Sequence, residues 1–376
     1  MSYRRALIPA VVGSVLLTVF LWWAGASDLA LQLRGTTRVF DPQSAGELRR
    51  WLAPWSYDPP AVPLSGGAAD GDPAPSGGGQ YTGLYRTAMQ IRYAAVFVFF
   101  LAGALLLVRR LPPARGRTPA TLLALWAWGP VAGTLAVTVS APWLIASRGH
   151  GSFRVLPQLA SVVASSGPVV VFAALVTAPI TVLVAHTALK GTEPPPRREV
   201  PRRAARLAAS AGTAVVALSL VVLSYQSVAA RIQTTFDGRG LLSEPGDMLR
   251  TWLLLGGWSR PGTTPLGDWL LYRAADVLVL AVVWWALRLL PGLLTRTTVP
   301  AMAVGAVCAT VLGLLVSQVL HMAVDDTSAV WGPVYVFSQL GEGVPAALTF
   351  GVLAGLVSVA TLRLAGGSSS GTVVER

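Results

Sequence analysis

"IRYAAVFVFFLAGALLLVRRLP", Ile91 to Pro112, decides the fold. Between Arg92 and Arg109 it carries no charge, and any helix drawn through it is apolar on every side. Such a helix is stable only where no face meets water, and about 20 such residues cross the roughly 30 Å apolar core of a bilayer. Arg109, Arg110 and Pro112 close the run, two snorkelling cations and a helix breaker.

Working outward, the same test marks eight windows: Ala6 to Ala26, Met89 to Val108, Pro119 to Ala146, Ser166 to Leu189, Leu207 to Val228, Trp269 to Leu287, Val299 to Ala323 and Gly343 to Leu362. Of the 376 residues 53% are hydrophobic and only 12% charged, and the mean hydropathy is positive. The expected fold class is therefore all-α, a polytopic integral membrane protein of about eight transmembrane helices. The amino-terminal window has a basic start and Ala24-Gly25-Ala26, which imitates a cleavage site. Its apolar run exceeds that of a cleaved leader, so it is expected to stay as a helix.

A net charge of +12 invites a nucleic-acid reading, and the distribution of that charge argues against it. Segments between windows, assigned alternately, put 16 basic residues and only Glu193, Glu199 and Glu375 on the side of both termini; the other side carries 13 arginines and 14 acids. That bias is the positive-inside pattern of a bacterial cytoplasmic membrane protein with both termini cytoplasmic. Membrane lipids are the expected partners of this basicity, and nucleic acid is not.

The opening stretch has an echo. "YRAADVLVLAVVWWALRLLP", Tyr272 to Pro291, repeats its Arg, its apolar run and its closing proline. In the same order, "YRRALIPA" at Tyr3 matches "PRRAARLAA" at Pro201, and Phe40-Asp41 matches Phe236-Asp237. "LRRWLAPWS" at Leu48 matches "LRTWLLLGGWS" at Leu249, and Pro157 with Gly167 matches Pro333 with Gly343. Shared order suggests two parallel four-helix repeats, residues 1–190 and 207–363, joined by a basic Pro-rich cytoplasmic linker at 191–206 and followed by a tail at 364–376. One competing register aligns Leu84-Tyr85-Arg86 with Leu271-Tyr272-Arg273; helix length favours Arg92 with Arg273. The extra length of the first copy then falls in "AVPLSGGAADGDPAPSGGGQ" from Ala61, too rich in Gly, Pro and Ala to bury a core.

Both long outer loops hold an amphipathic segment, Ser44 to Trp55 and Pro245 to Trp258. Indole and guanidinium suit the membrane surface, so Arg49, Trp51, Trp55, Arg250, Trp252 and Trp258 are expected on interfacial helices. Protein partners would then meet the extracytoplasmic side.

Chemistry is sparse. Lys190 lacks the glycines of a nucleotide-binding loop, Cys308 is alone, and His150, His186 and His321 have no zinc spacing, so no cofactor or metal is expected. Asp70-Gly71-Asp72 imitates a metal-binding pair but lies in the low-complexity insertion. Charges at membrane depth are the better candidates, because they face a partner or a cavity. Arg92, Arg273 and Asp276, joined by Gln318, His321 and Glu342, are expected to ring an outward vestibule between the halves; the plainer alternative is arginines snorkelling from helix ends. His321 also precedes Asp325 by one helical turn, with Asp326 beside it. Three functions follow. The first is a transporter or permease for an amphipathic or anionic small molecule, lipid or peptide. The second is a non-catalytic membrane subunit of a cell-envelope complex. The third is a lipid-linked transferase using Asp28, Asp41 or Asp58. A polar cavity between the halves favours the first, and a dry interface the second.

Overall fold

The computed structural model describes residues 3–31, 42–57, 78–113, 116–147, 155–164, 167–188, 200–235, 245–257, 266–324, 337 and 340–367. Every regular element among them is helical. Eight helices are long and apolar enough to cross a membrane: α1 (Tyr3–Leu31), α3 (Gly78–Arg110), α4 (Thr118–Ala146), α6 (Gly167–Ala188), α7 (Arg202–Ala217), α10 (Leu266–Leu293), α11 (Val299–Val324) and α12 (Val344–Gly367). Between them lie four short helices, α2 (Pro42–Leu52), α5 (Val155–Ala164), α8 (Gln226–Thr234) and α9 (Pro245–Leu253). The chain is a multi-pass helical membrane protein.

The windows match the spans closely, with one displacement. The fifth span runs Arg202–Leu223, not Leu207 to Val228. Arg202, Arg203 and Arg206 are exposed on its first turns, where long guanidinium stems let a helix start before its apolar stretch does. At the far end α7 passes into a π-helical turn, Leu218–Leu223, and breaks at Tyr225 in extended backbone (ψ 130°). The hydroxyl of Ser224 bonds the Ser219 carbonyl at 2.8 Å there, the local competition by which serine ends helices.

Each half closes on itself in the same cyclic order. In the first, α1 packs on α3, α3 on α4, α4 on α6 and α6 back on α1; in the second, α7, α10, α11 and α12 close likewise. Lipid offers helices no hydrophobic drive to associate, so small residues that admit close backbone approach decide which faces meet. Gly129 and Gly133 of α4 receive Ala174 and Val170 of α6, and Gly351 and Gly355 of α12 lie against Val307 and Ala303 of α11. A methyl added at any of the four would collide with its neighbour.

The halves meet mainly through α4, which packs on α11 and α12, with α3 also on α11. These central spans are the most buried, 67% of the α4 window and 72% of the α11 window. Cys308 of α11 approaches the Ala124 carbonyl of α4 at 3.4 Å. At one end of this interface α5 packs on α9, and the turn at 340–343 lies against the start of α6, Phe172 and Phe337 meeting edge to face at 5.6 Å. At the other end Thr295 N–H donates to the Arg110 carbonyl at 2.9 Å.

Candidate functional site

The most elaborate polar cluster is built on the Arg-Trp segment of the first half. After α2 the chain tightens into a 3-10 turn, Ala53–Trp55, and its last carbonyls have no partner further along a helix. Three side chains of α3 take them in succession. Arg92 donates through Nη1 to the Pro54 carbonyl, the Tyr93 hydroxyl donates to that of Trp55, and the Tyr85 hydroxyl donates to that of Ser56 at 2.7 Å. Arg92 Nε also donates to Ser140 Oγ of α4 at 2.9 Å. Trp55 is wholly buried beneath this layer, with the Arg92 guanidinium carbon 5.9 Å from its ring centroid and Tyr93 tilted against it at 6.3 Å. Gly25 of α1 closes on the same point, with no room for a Cβ against the Trp55 carbonyl and the Tyr93 hydroxyl.

Arg92 is fully buried, and no acidic side chain bonds to it among the described residues. Its charge is instead spread over a backbone carbonyl, a hydroxyl and an indole face, while Nη2 has no hydrogen-bond partner. An uncompensated cation in a low-dielectric interior is costly, so the carbonyl dipoles that face it also hold it.

The second half fastens its own Arg-Trp segment by related means. Arg273 Nη2 donates to the Gly257 carbonyl at 3.1 Å, and Gly257 precedes Trp258 as Pro54 precedes Trp55. Here an acid is present: Arg273 Nη1 lies 2.9 Å from Asp276 Oδ2, with 11% and 18% of the two side chains exposed. Arg273 also sits 5.9 Å from the Trp269 ring centroid. The π-helical turn and its end supply further grips, beside the bond from Gln233 Nε2 of α8 to Asp247 Oδ1 at 2.8 Å. Ser219 Oγ donates to the Leu253 carbonyl at 2.5 Å, and Ser224 Oγ accepts from Gly256 N–H at 3.3 Å.

Of the six residues expected around one vestibule, Arg92 stands in the first half, and the other five lie on neighbouring elements of the second, α10, α11 and the turn before α12. Arg92 spends its bonds within the first half, and Arg273 with Asp276 within the second. Gln318 bridges to the turn before α12: its Nε2 donates to the Glu342 carbonyl at 3.2 Å, and its Oε1 accepts from Gly341 N–H at 3.1 Å. His321 rests against Tyr272, ring centroids 5.0 Å apart. Among the Arg-Trp residues Arg49 and Arg250 are exposed, Trp51 and Trp55 are buried, and Trp252 is half-buried. Trp258, Asp41, Asp58, Asp70, Asp72, Asp237, Asp325 and Asp326 lie outside the described residues. No group of three potential metal ligands occurs among the described residues.

No family model matches the chain, and no curated protein or solved structure is significantly similar to it.

Tyr85, Tyr93, Ser140 and Ser219 were not singled out from the sequence. A signal existed for the tyrosines: Tyr85 and Tyr93 are eight apart, with Met89 midway and Arg92 beside them, so two hydroxyls and a guanidinium lie along one side of α3. A lone serine in an apolar helix carries no such mark.

Proposed function

We propose that the chain is a non-catalytic membrane subunit, a helical bundle that holds a helical cap against the extracytoplasmic face of a bacterial cytoplasmic membrane for envelope partners to bind. The observation that carries this reading is the uncharged centre. From Thr118 to Ala146 of α4 and from Val299 to Leu320 of α11, the two spans that face each other across the halves, no side chain is charged. A carrier for a polar or anionic solute needs groups that replace its hydration along the path. Gln318, the first amide on the α11 side, is committed to the turn before α12.

The cap supports the same reading. Buried arginine, tyrosine and serine side chains hold the ends of α2 and α9, and the exposed sides of those helices carry Arg49 and Arg250, the latter also reaching Gln233 Oε1 at 3.5 Å. The chain is further proposed to be two parallel four-helix repeats. The shared cyclic order of packing supports that, as do the bonds of Arg92 and Arg273 to matching carbonyls. Charge bias puts the cap outside and both termini inside.

The test locks the halves together. Ala124→Cys, at the position whose backbone carbonyl Cys308 approaches at 3.4 Å, is oxidised in native membranes that carry a photo-crosslinker at position 49 or 250. A subunit that presents a fixed cap keeps the same discrete adducts when locked, and the purified protein in liposomes moves an amphipathic anion no faster than empty vesicles do. A flux that stops on oxidation and returns on reduction would establish a carrier instead.

A further inference from the structure

A groove of about 370 Å³ opens on the membrane-facing side of the first half, lined by Thr18, Val19 and Trp22 of α1, Gln90 and Tyr93 of α3, and Tyr57. Its walls are largely apolar, and one end is not: Gln90 Nε2 donates to the Tyr57 hydroxyl at 3.4 Å. Arg86 lies one helical turn beyond Gln90 on the same stripe of α3, exposed and with no acidic partner among the described residues. Trp22 and Trp23, 53% and 66% exposed, mark the depth at which indoles sit between headgroups and acyl chains. The groove therefore runs from a polar amide and phenol into an apolar cleft, and an exposed cation stands one helical turn beyond its polar end.

The sequence of the second half does not repeat the groove's polar lining. Aligned on Arg92 and Arg273, it has Gly267 for Arg86, Leu271 for Gln90 and Ala274 for Tyr93. Aligned on the arginine pairs that open α1 and α7, it has Val216 for Thr18 and Leu220 for Trp22. General contact with lipid would be served by either surface. An amide and a phenol kept at this depth on one copy alone, beneath an exposed arginine, point to a bound molecule.

We propose that this groove holds one anionic phospholipid of the leaflet on the cap side, with its phosphate on Arg86, its ester region beside Tyr57 and Gln90, and one acyl chain along Val19 and Trp22 against Tyr93. The comparison between halves rests on the repeat proposed above; the subunit reading does not enter.

The full-length chain, purified and equilibrated with equal amounts of phosphatidylglycerol and phosphatidylcholine, is examined by native mass spectrometry. Wild type retains one lipid, favouring phosphatidylglycerol about five-fold, the discrimination one arginine supplies at a membrane surface. Arg86→Gln brings the preference to about one while a lipid is still retained. Val19→Trp fills the cleft and removes the retained lipid. Gln90→Leu, which copies the second half, weakens retention without reversing the preference. Arg231→Gln, an exposed arginine on α8, changes nothing. An undiminished preference in Arg86→Gln, or an equal loss in Arg231→Gln, overturns the proposal. Should Val19→Trp not fold, Arg86→Gln and Gln90→Leu still decide it. Adducts at positions 49 and 250 are independent of all these variants, so failure of the lipid site and failure of the subunit reading are told apart.

Discussion

Arg92 and Pro54 are joined across 38 positions of sequence by a guanidinium-to-carbonyl hydrogen bond in the closed interior of the first half. Replacing Arg92 by Ala strands the carbonyl of Pro54 and removes a donor from Ser140. The expected loss is about 2–4 kcal/mol, read as a lower unfolding temperature in detergent and as faster proteolysis at α2. Arg92→Lys is expected to recover less than half of it. One ammonium on a flexible stem cannot hold a carbonyl and a hydroxyl in the two directions that Nη1 and Nε serve.

Tyr85→Phe and Tyr93→Phe each delete one hydroxyl and keep the ring. Each is expected to cost about 1 kcal/mol, and the double variant more than the sum, because adjacent carbonyls of one short turn share the two bonds. A double-mutant cycle on thermal unfolding measures the coupling; strict additivity would mean that the turn is held elsewhere.

For Arg273 and Asp276 the singles are expected to be worse than the pair. Asp276→Ala leaves a cation 11% exposed without its carboxylate, and Arg273→Ala leaves the reverse. Removing both leaves neither charge, only the Gly257 carbonyl, whose exposed position lets it turn to water. The cycle should therefore show the double variant within about 1 kcal/mol of wild type and each single below it.

Gly341 has a φ of +88°, and a Cβ there would meet the Gly167 backbone at 2.8 Å; Gly343 has a φ of +79°, and its nearest obstacle is the end of the Leu314 side chain at 3.2 Å. Both positions strain an alanine, but only the first also pries the halves apart. Gly341→Ala is expected to lower the unfolding temperature clearly more than Gly343→Ala. Equal effects would remove the contact between Gly167 and Gly341 as a point of closure.

Single cysteines placed at Arg49 and Arg198 in a Cys308→Ser background should label from opposite sides of the membrane. Native Cys308, 2% exposed, should stay unlabelled until the protein is unfolded. Labelling of both new sites from one side would refute the charge-based topology.

The spans were legible because a bilayer imposes length and apolarity together, and Ile91 to Pro112 satisfies both without help from its neighbours. The starting point of α7 was not, because hydropathy counts Arg202, Arg203 and Arg206 as outside while their stems allow the helix to begin there. The depth of Arg92 and Arg273 was readable, and their direction was not. Each arginine turns to the nearest unpaired carbonyls, those left where its own loop helix ends, instead of toward the opposite half. That preference is geometric, and it appears only once α2 and α9 are in place. The groove was hidden for the same reason, since Thr18, Tyr57 and Gln90 become neighbours only through packing.

Ser219 and Ser224 are five residues apart, and at 3.6 residues per turn an unbroken α-helix would aim them about 140° from each other. The wider π turn, with Ser224 N–H reaching the Ser219 carbonyl at 3.1 Å, brings them toward a common side where both touch the 253–256 stretch. The π turn thus lets the helix carry a surplus residue and keep both grips: the same residues wound as regular α-helix would turn one of the two hydroxyls away from that stretch. The first half needs no such spacer, since phenols long enough to reach across do there what helix irregularity does here.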